Sequence, residues 1–317
     1  MTVSTQQRPS LRETVTMLAC LAVWLIVTGV CIGFRPEHSF LAVLIAAMFM
    51  ACGWSRRVVV ALIPFALFGI SYDWMNILPN YEVNPVDIEG LYSTEKSLFG
   101  IATATGTLTP NEFFALHNCT LMDIFAGLFY LCWVPVPMAF GLWLYFKGQR
   151  SMYLHFAIVF LFVNLLGFAG YYIHPAAPPW YVASHGFDMI QGTPGEVAGL
   201  GRFDALTGLN IFHGLYARNS NVFAAMPSLH SAYMLIAFIY SLKARCPLWM
   251  RIGCAVICLG IWFTAVYTSH HYILDVLGGI GVTLLGFVLF EYVIMRIPAV
   301  ARFVDKYTDY ITPPTKK

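Results

Sequence analysis

Long apolar segments separated by polar connectors dominate the hydropathy pattern of this chain. Most of these segments approach the roughly 20 residues that an α-helix needs to cross the hydrocarbon core of a bilayer. The pattern therefore predicts an all-α, polytopic membrane helix bundle with about six to eight transmembrane helices. The predicted spans are 15–34, 38–54, 58–79, 120–146, 152–173, 224–242, 252–270 and 273–295.

Two features interrupt this alternation. Pro135 and Pro137 lie inside the fourth predicted span, and because proline cannot donate a helical hydrogen bond we expect a kink there. Two connectors, 80–119 and 174–223, are long, and long connectors are often functional. The chain has no internal repeat and no interdomain linker, so we expect a single integral membrane domain over 1–317.

Composition supports the membrane class. Of the 317 residues, 59% are hydrophobic and 11% are charged, whereas a soluble domain has about 25% charged residues. An ordinary soluble enzyme is therefore excluded. The formal net charge is only +2 and no basic run occurs, so the sequence gives no reason to expect nucleic acid as a partner.

The distribution of lysine and arginine predicts the orientation in the membrane. With eight spans and a cytoplasmic amino terminus, both termini are cytoplasmic and both long connectors face the outside, meaning the periplasmic, extracellular or lumenal side. Few basic residues then lie outside, namely Arg35, Lys96, Arg202 and Arg218. The cytoplasmic set is Arg8, Arg12, Arg56, Arg57, Lys147, Arg150, Lys243, Arg245, Arg251, Arg296, Arg302, Lys306, Lys316 and Lys317.

Histidine occurs at the outer ends of two apolar segments. In "MPSLHSAY", His230 lies near the start of the sixth span, and in "SHHYILDVLGG", His271 and Asp275 lie where the seventh span ends and the eighth begins. A third stretch, "YYIHPAAPPWY" (171–181), enters the second long connector on the same side. Three separated pieces of sequence therefore converge at one membrane depth.

The spacing of His271 and Asp275 suits acid–base chemistry. Residues four apart share one face of a helix, so the carboxylate can hold one imidazole nitrogen and leave the other as nucleophile or base. His230 on a neighbouring helix then supplies a proton donor. Two alternatives stay open: interfacial residues that make only local hydrogen bonds, and a metal site. The candidate metal ligands are His230, His270, His271 and Asp275.

These motifs resemble a known family. "PSLHSA" resembles the second signature of the type 2 phosphatidic acid phosphatase superfamily, and "HYILD" resembles its third. The ordered set "HPAAPPWY", "AGLGRFDALTGLNIF", "NSNVFAAMPSLHSAY" and "YTSHHYILDVLGG" is similar to the inositol phosphorylceramide synthase branch of the aureobasidin-target type. The resemblance covers roughly 170–282. It implies a phosphatidic acid phosphatase-like catalytic core over 120–296 that includes the connector 174–223.

The resemblance also implies a mechanism. In the superfamily the third-signature histidine, here His271, attacks phosphorus and forms a phosphohistidine, while Asp275 orients it. His230 protonates the leaving alcohol and then takes the proton of the acceptor. The implied reaction moves a phosphoinositol-type head group from a phospholipid donor to a ceramide-like lipid alcohol. No metal or other cofactor is required, and the sequence identifies no partner subunit.

The chain departs from the superfamily at its phosphate ligands. Ala265 stands where the third signature has an arginine, and there is no lysine–arginine–proline first signature. We therefore expect the outer-face cations and the polar neighbours of the two histidines to bind substrate. These candidates are Arg202, Arg218, Ser228, Ser231 and His270. Solvated loop charges for the arginines and helix capping for the serines are the alternatives.

Other functions predict different patterns. A lipid phosphate phosphatase of the same superfamily would use water as acceptor. A transporter or channel would spread ionisable groups such as Asp73 and Asp123 through the membrane depth. The two histidines and the aspartate described above instead gather at one face. A purely structural membrane subunit would tolerate His271→Ala.

Overall fold

Four helices form the amino-terminal side of the bundle in the computed structural model, which describes residues 8–216 and 221–314. They are α1 (Leu11–Cys31), α2 (Pro36–Ala51), α3 (Gly53–Ala61) and α4 (Ile63–Trp74). α1 begins at a capping box in which Ser10 and Glu13 satisfy each other's backbone amides. α3 and α4 meet at a bend of 47°, where Pro64 cannot donate a helical hydrogen bond.

The first long connector is an ordered unit. It contains α5 (Glu89–Phe99), the antiparallel hairpin β1 (Ile101–Thr103) and β2 (Gly106–Leu108), and α6 (Pro110–Leu116). The Tyr92 hydroxyl of α5 donates to Glu112 of α6 at 2.8 Å. Glu112 also closes a capping box with Thr109 at the start of α6. The two helices are therefore joined by side chains as well as by the hairpin.

Three helices follow this connector, namely α7 (Thr120–Leu131), α8 (Pro135–Phe146) and α9 (Arg150–Ile173). α7 and α8 are bent by 42°. The kink expected at Pro135 and Pro137 is thus confirmed, and the helix ends at Leu131, just before these residues.

The second long connector carries three short helices, α10 (Pro179–His185), α11 (Gly201–Thr207) and α12 (Ile211–Tyr216). Isolated parallel bridges join Asp87 to Ala176 and Ala176 to Ala224. The two long connectors are therefore bonded to each other and to the chain that enters the next helix.

The centre of the bundle is built around α9 and the three helices α13 (Leu229–Lys243), α14 (Leu248–Tyr267) and α15 (Ile273–Val288). Phe160, Val163 and Ala237 are fully buried there. Gly279 of α15 packs against α13 so closely that a Cβ atom would collide with Ser228 and Ser231. Small residues allow this close approach of membrane helices.

A final helix, α16 (Pro298–Ile311), packs against α3 and α9 and was not predicted. Within residues 8–216 and 221–314, four single helices are long and apolar enough to cross a membrane, or up to six if each bent pair is one span. The second predicted span is shorter, since α2 has 16 residues. The sixth is also shorter than predicted, since α13 has 15 residues and the preceding Ala225 bonds as extended chain to Ala176.

Candidate active site

The three residues predicted to be catalytic lie together. His230 Nδ1 and His271 Nε2 are 2.9 Å apart, and His271 Nδ1 lies 3.5 Å from Asp275 Oδ2. His271 does not share a helix with Asp275, because α15 begins only at Ile273. Its amide instead donates to the Ala265 carbonyl at 2.9 Å, so the contact with Asp275 spans the turn that precedes α15.

The surroundings of His271 favour one tautomer. Asp275 is fully buried and Oδ2 already accepts the Tyr272 amide at 2.8 Å. A proton on His271 Nδ1 faces this carboxylate, which leaves the lone pair on Nε2. His230 Nδ1 must then carry the proton of the contact between the two imidazoles. His271 Nε2 is therefore the nitrogen available to attack once a substrate displaces His230.

Residues 268–272, which we call the catalytic turn, are fixed by the second long connector. The Gly199 amide donates to the Thr268 carbonyl, and the Trp180 amide donates to the Ser269 carbonyl, both at 3.0 Å. Ser269 has a positive φ of 62°, a left-handed conformation that costs a non-glycine residue about 1–2 kcal/mol. The surrounding bonds hold the chain in this conformation.

His270 presents a hydrogen-bond acceptor. The Thr268 hydroxyl donates to the Thr264 carbonyl at 2.7 Å, so it must accept from His270 Nδ1 at 3.0 Å. The lone pair of His270 is then on Nε2, which is buried without a hydrogen-bond partner among the described residues. Burial, together with the nearby His271, lowers the pKa of His270 to about 3, so the imidazole is neutral at physiological pH.

A cavity of about 410 Å³ opens from the three histidines. His230 lies at one wall, where the rings of Tyr130 and Trp133 pack against it with centroids 5.0 and 4.4 Å away. The cavity extends between α4, α9 and the bend that joins α7 to α8. Its lining there is mostly aromatic and apolar and includes Phe68, Tyr72, Val134, Phe168 and Tyr171. No lysine or arginine occurs among the described residues that line it.

Arg202 lies beside the catalytic turn and is paired with an acid. Its Nε donates to Asp123 at 2.7 Å, and its guanidinium packs over the ring of Tyr267 at 5.2 Å. Nη2 is buried and has no partner in the described chain. Arg202 is not among the side chains that line the cavity, and Arg218 lies outside the described residues. Phosphate binding by either residue stays a prediction.

The two serines occupy the contact between α13 and α15. Ser231 Oγ lies 2.7 Å from the Ser228 carbonyl and 3.1 Å from the Val276 carbonyl. Ser228 Oγ is buried and has no partner in the part of the chain that is described. Neither serine lines the cavity, so their substrate-binding role also stays a prediction.

The alternative of a metal site requires several ligand side chains to point at one position. Across residues 8–216 and 221–314, no group of three or more His, Cys, Asp or Glu side chains is arranged to hold a metal ion. The histidines and Asp275 instead contact one another and the backbone.

Four residues that contact the histidines or the catalytic turn were not predicted from the sequence to belong to the site. Tyr130 and Trp133 lie at the bend between α7 and α8 and contact His230. Glu95 and Asn111, from the first long connector, bond to the backbone around the catalytic turn. A signal existed for Glu95, because it shares the apolar face of α5 with Leu91, four residues earlier, and a carboxylate on such a face needs a buried partner.

Comparison with known proteins agrees with the motifs. The PAP2 superfamily model matches residues 107–289. Phosphoinositol dihydroceramide synthase of Bacteroides thetaiotaomicron is 56% identical over 303 residues, which cover 96% of this chain and 99% of that protein. Inositol phosphorylceramide synthase of Candida albicans is 30% identical over 179 residues, 54% of this chain and 36% of that protein. The catalytic subunit of the Saccharomyces cerevisiae enzyme is 28% identical over 239 residues, 73% and 55% of the respective chains.

No solved structure matches the chain significantly. The matched family region contains His230, His271 and Asp275, and a relative aligns over nearly the whole length. The resemblance inferred from the motifs is confirmed, and this integral membrane protein belongs to the PAP2 superfamily of enzymes.

Proposed function

We propose that this protein transfers a phosphoinositol-type head group from a glycerophospholipid to a ceramide-like acceptor. The observation that carries the proposal is the contact of His230 with His271, backed by Asp275, at the end of an aromatic and apolar cavity. Such a cavity suits lipid chains, and the paired imidazoles suit phosphoryl transfer. The names of the relatives in Bacteroides and yeasts support the head group and the acceptor.

In the first step, His271 Nε2 attacks the phosphorus of the donor phosphodiester. A bond forms between nitrogen and phosphorus while the bond from phosphorus to the diacylglycerol oxygen breaks. A doubly protonated His230 gives this leaving oxygen its proton, and diacylglycerol departs. The negative charge of the phosphodiester favours the protonated form of His230. No lysine or arginine among the described lining residues competes for this charge.

In the second step, the primary hydroxyl of the acceptor lipid replaces diacylglycerol. His230, now neutral, takes the hydroxyl proton as the oxygen attacks phosphorus. The bond from phosphorus to His271 breaks, which restores the free imidazole and releases the head group on the acceptor. Asp275 supports the positive charge that His271 carries while it is phosphorylated.

His270 contributes to substrate binding in this scheme. Its Nε2 is an unpaired acceptor beside the reacting histidines, so it is suited to a hydroxyl of the polyol head group. Because the described part of the cavity lining has no lysine or arginine, we assign the phosphate charge to His230 and to the outer-face arginines, Arg202 and Arg218. Ser228 and Ser231 support substrate binding without lining the cavity, because they fix the position of α13.

The proposed location follows from the charge distribution. The catalytic core, 120–296, would open at the outer face, with the connector 174–223 above it and both termini in the cytoplasm. Donor and acceptor would enter from the membrane, with their chains in the apolar part of the cavity.

The direct test is head-group transfer by the purified protein. Labelled phosphatidylinositol and ceramide are supplied without added metal, and His271→Ala is assayed in parallel. Labelled phosphoinositol ceramide that forms with the wild type and not with the variant supports the proposal. Release of water-soluble phosphoinositol alone would indicate the phosphatase alternative, and transfer that survives the substitution would contradict the assigned nucleophile.

A further inference from the structure

Two buried side chains of the first long connector bond to the backbone within the catalytic turn and on either side of it. Asn111 Nδ2 donates to the Val266 carbonyl at 2.8 Å and to the His271 carbonyl at 2.9 Å. Glu95 accepts the Ile273 amide at 2.9 Å. Its second oxygen accepts the Leu274 amide at 3.1 Å.

Apart from the His271 carbonyl, which lies between α14 and α15, these backbone groups belong to helix ends. The carbonyls at the end of α14 and the first amides of α15 have no partner within their own helices and must be satisfied by other groups. Glu95 and Asn111 are 0% and 3% exposed, so water does not replace them. If these hydrogen bonds served only stability, the need of helix ends for hydrogen-bond partners would be enough to explain them.

The position of the bonds argues for more than stability. One bond is made by the carbonyl of His271 itself, and two more are made by the amides of the residues two and three positions later. The backbone around His271 is thereby held by the first long connector. Gly199 and Trp180 of the second long connector bond earlier in the catalytic turn. With the backbone held, the imidazole can meet both His230 and Asp275.

The chemistry of Glu95 supports the same view. Burial raises the pKa of Glu95, because the desolvation of its carboxylate outweighs the two amide hydrogen bonds. A carboxylate in this environment is a poor choice for a cap whose only role is stability, since exposed serine, threonine or aspartate cap helices without this desolvation.

We propose that Glu95 and Asn111 are positioning residues for catalysis. They clamp the catalytic turn to α5 and α6 and so set the reach of His271 Nε2 toward phosphorus. The clamp is a single unit because Tyr92 and Glu112 bond α5 to α6. This inference rests on the proposed role of His271 as nucleophile.

The test compares three variants of the full-length protein. Glu95→Gln keeps the volume but sets an amide donor against one backbone amide, and Asn111→Asp sets a carboxylate against two carbonyls. Asn80→Asp is the matched control, because Asn80 is also buried and donates to two backbone carbonyls, those of Tyr171 and Phe223 at 2.9 and 2.8 Å. Folded protein is quantified by size-exclusion chromatography and thermal midpoint.

For Glu95→Gln and Asn111→Asp we expect kcat per folded molecule to fall roughly 100-fold, the scale of a 1 Å misplacement. The KM for the donor should change less than about twofold, because the cavity lining is untouched. Asn80→Asp should lower the thermal midpoint as Asn111→Asp does and keep its kcat. Wild-type kcat in both clamp variants, or an equal loss of kcat in all three, overturns the proposal.

A second measurement does not depend on the lipids supplied. The rate at which diethyl pyrocarbonate modifies His271, followed by peptide mass spectrometry, reports the exposure and orientation of this imidazole. We expect the rate to change severalfold in the two clamp variants and not in Asn80→Asp. If the wild type turns over none of the lipids, the proposed substrates are wrong. Equal reagent rates in all four proteins would then overturn the clamp separately.

Discussion

At the scale of single residues, the reactivity of the site depends on where a few protons lie. The contact of 2.9 Å between His230 Nδ1 and His271 Nε2 holds one proton, so the nucleophilic lone pair is occupied until a phosphodiester separates the rings. The carboxylate of Asp275 lies 3.5 Å from the other nitrogen, His271 Nδ1, and favours a proton there. The two histidines therefore have unequal roles although they are chemically the same side chain.

The assignment of Asp275 predicts the effect of removing its charge. Asp275→Asn should lower kcat roughly 10³–10⁴-fold, the scale known when an amide replaces the carboxylate that orients a catalytic histidine. Asp305→Asn on α16, an exposed acid far along the chain, is the control and should behave as wild type. Head-group transfer at saturating donor measures both. An active Asp275→Asn protein would contradict the tautomer inferred for His271.

His270 gives a pH-dependent prediction. The pKa of His270 is lowered from 6.5 to about 3 in the folded protein, so between these values the unfolded chain binds a proton that the folded chain does not. Stability therefore falls as the pH falls below 6.5, by about 1.4 kcal/mol per pH unit for this group. The free energy of unfolding of wild type relative to His270→Gln should accordingly drop by about 2 kcal/mol from pH 6.5 to pH 5. A pH-independent difference would contradict the buried, neutral His270.

At the scale of elements, the site depends on how closely α13 and α15 approach. Gly279→Ala places a Cβ atom against Ser228 and Ser231 and should destabilise the protein by about 1–3 kcal/mol while it moves His230 from His271. Gly281→Ala on the same helix meets nothing within 4 Å and should be neutral or slightly stabilising. Thermal midpoints and transfer rates test the pair, and equal behaviour of the two variants would count against the close approach.

The helices were predictable to different degrees. Long apolar runs located α1, α9, α14 and α15, because a membrane helix must satisfy its own backbone within one apolar segment. The kink at Pro135 followed from the chemistry of proline. The short α13 was overestimated, since hydropathy does not distinguish helix from the extended apolar chain around Ala225.

The residues proposed to be catalytic could be picked out from the sequence, whereas the residues that support them could not. His230, His271 and Asp275 stood out because ionisable groups at the ends of apolar spans are unusual. Glu95 and Asn111 lie more than 150 residues from the groups they bond, and no local pattern connects such distant partners. The aromatic contacts of Tyr130 and Trp133 depend on a bend whose direction only the packing determines.

For the whole molecule, the proposed orientation places the site on the outer face of the membrane. In a bacterial host, an alkaline phosphatase fused after Asp188 in the second long connector should be active, since that enzyme folds only outside the cytoplasm. A fusion after Lys147 should be inactive. The control is a fluorescent protein at the carboxyl terminus, which should fluoresce in the cytoplasm. The reverse activities would place the site on the cytoplasmic side.

Across the whole chain, the membrane helices and the two long connectors both contribute to the site. The bundle supplies the histidines and the apolar cavity, while both long connectors hold the catalytic turn through hydrogen bonds to its backbone. We propose that His271 is the nucleophile at this site and passes the head group from one lipid to another.

Trapping the covalent intermediate is the most direct test of this role of His271. The protein is incubated with phosphatidylinositol labelled in its phosphate, without acceptor, then denatured and analysed by peptide mass spectrometry. We expect an acid-labile, alkali-stable phosphoinositol adduct on His271 that disappears when ceramide is added. Turnover without any such adduct, or an adduct on another residue, would contradict the role of His271 as nucleophile.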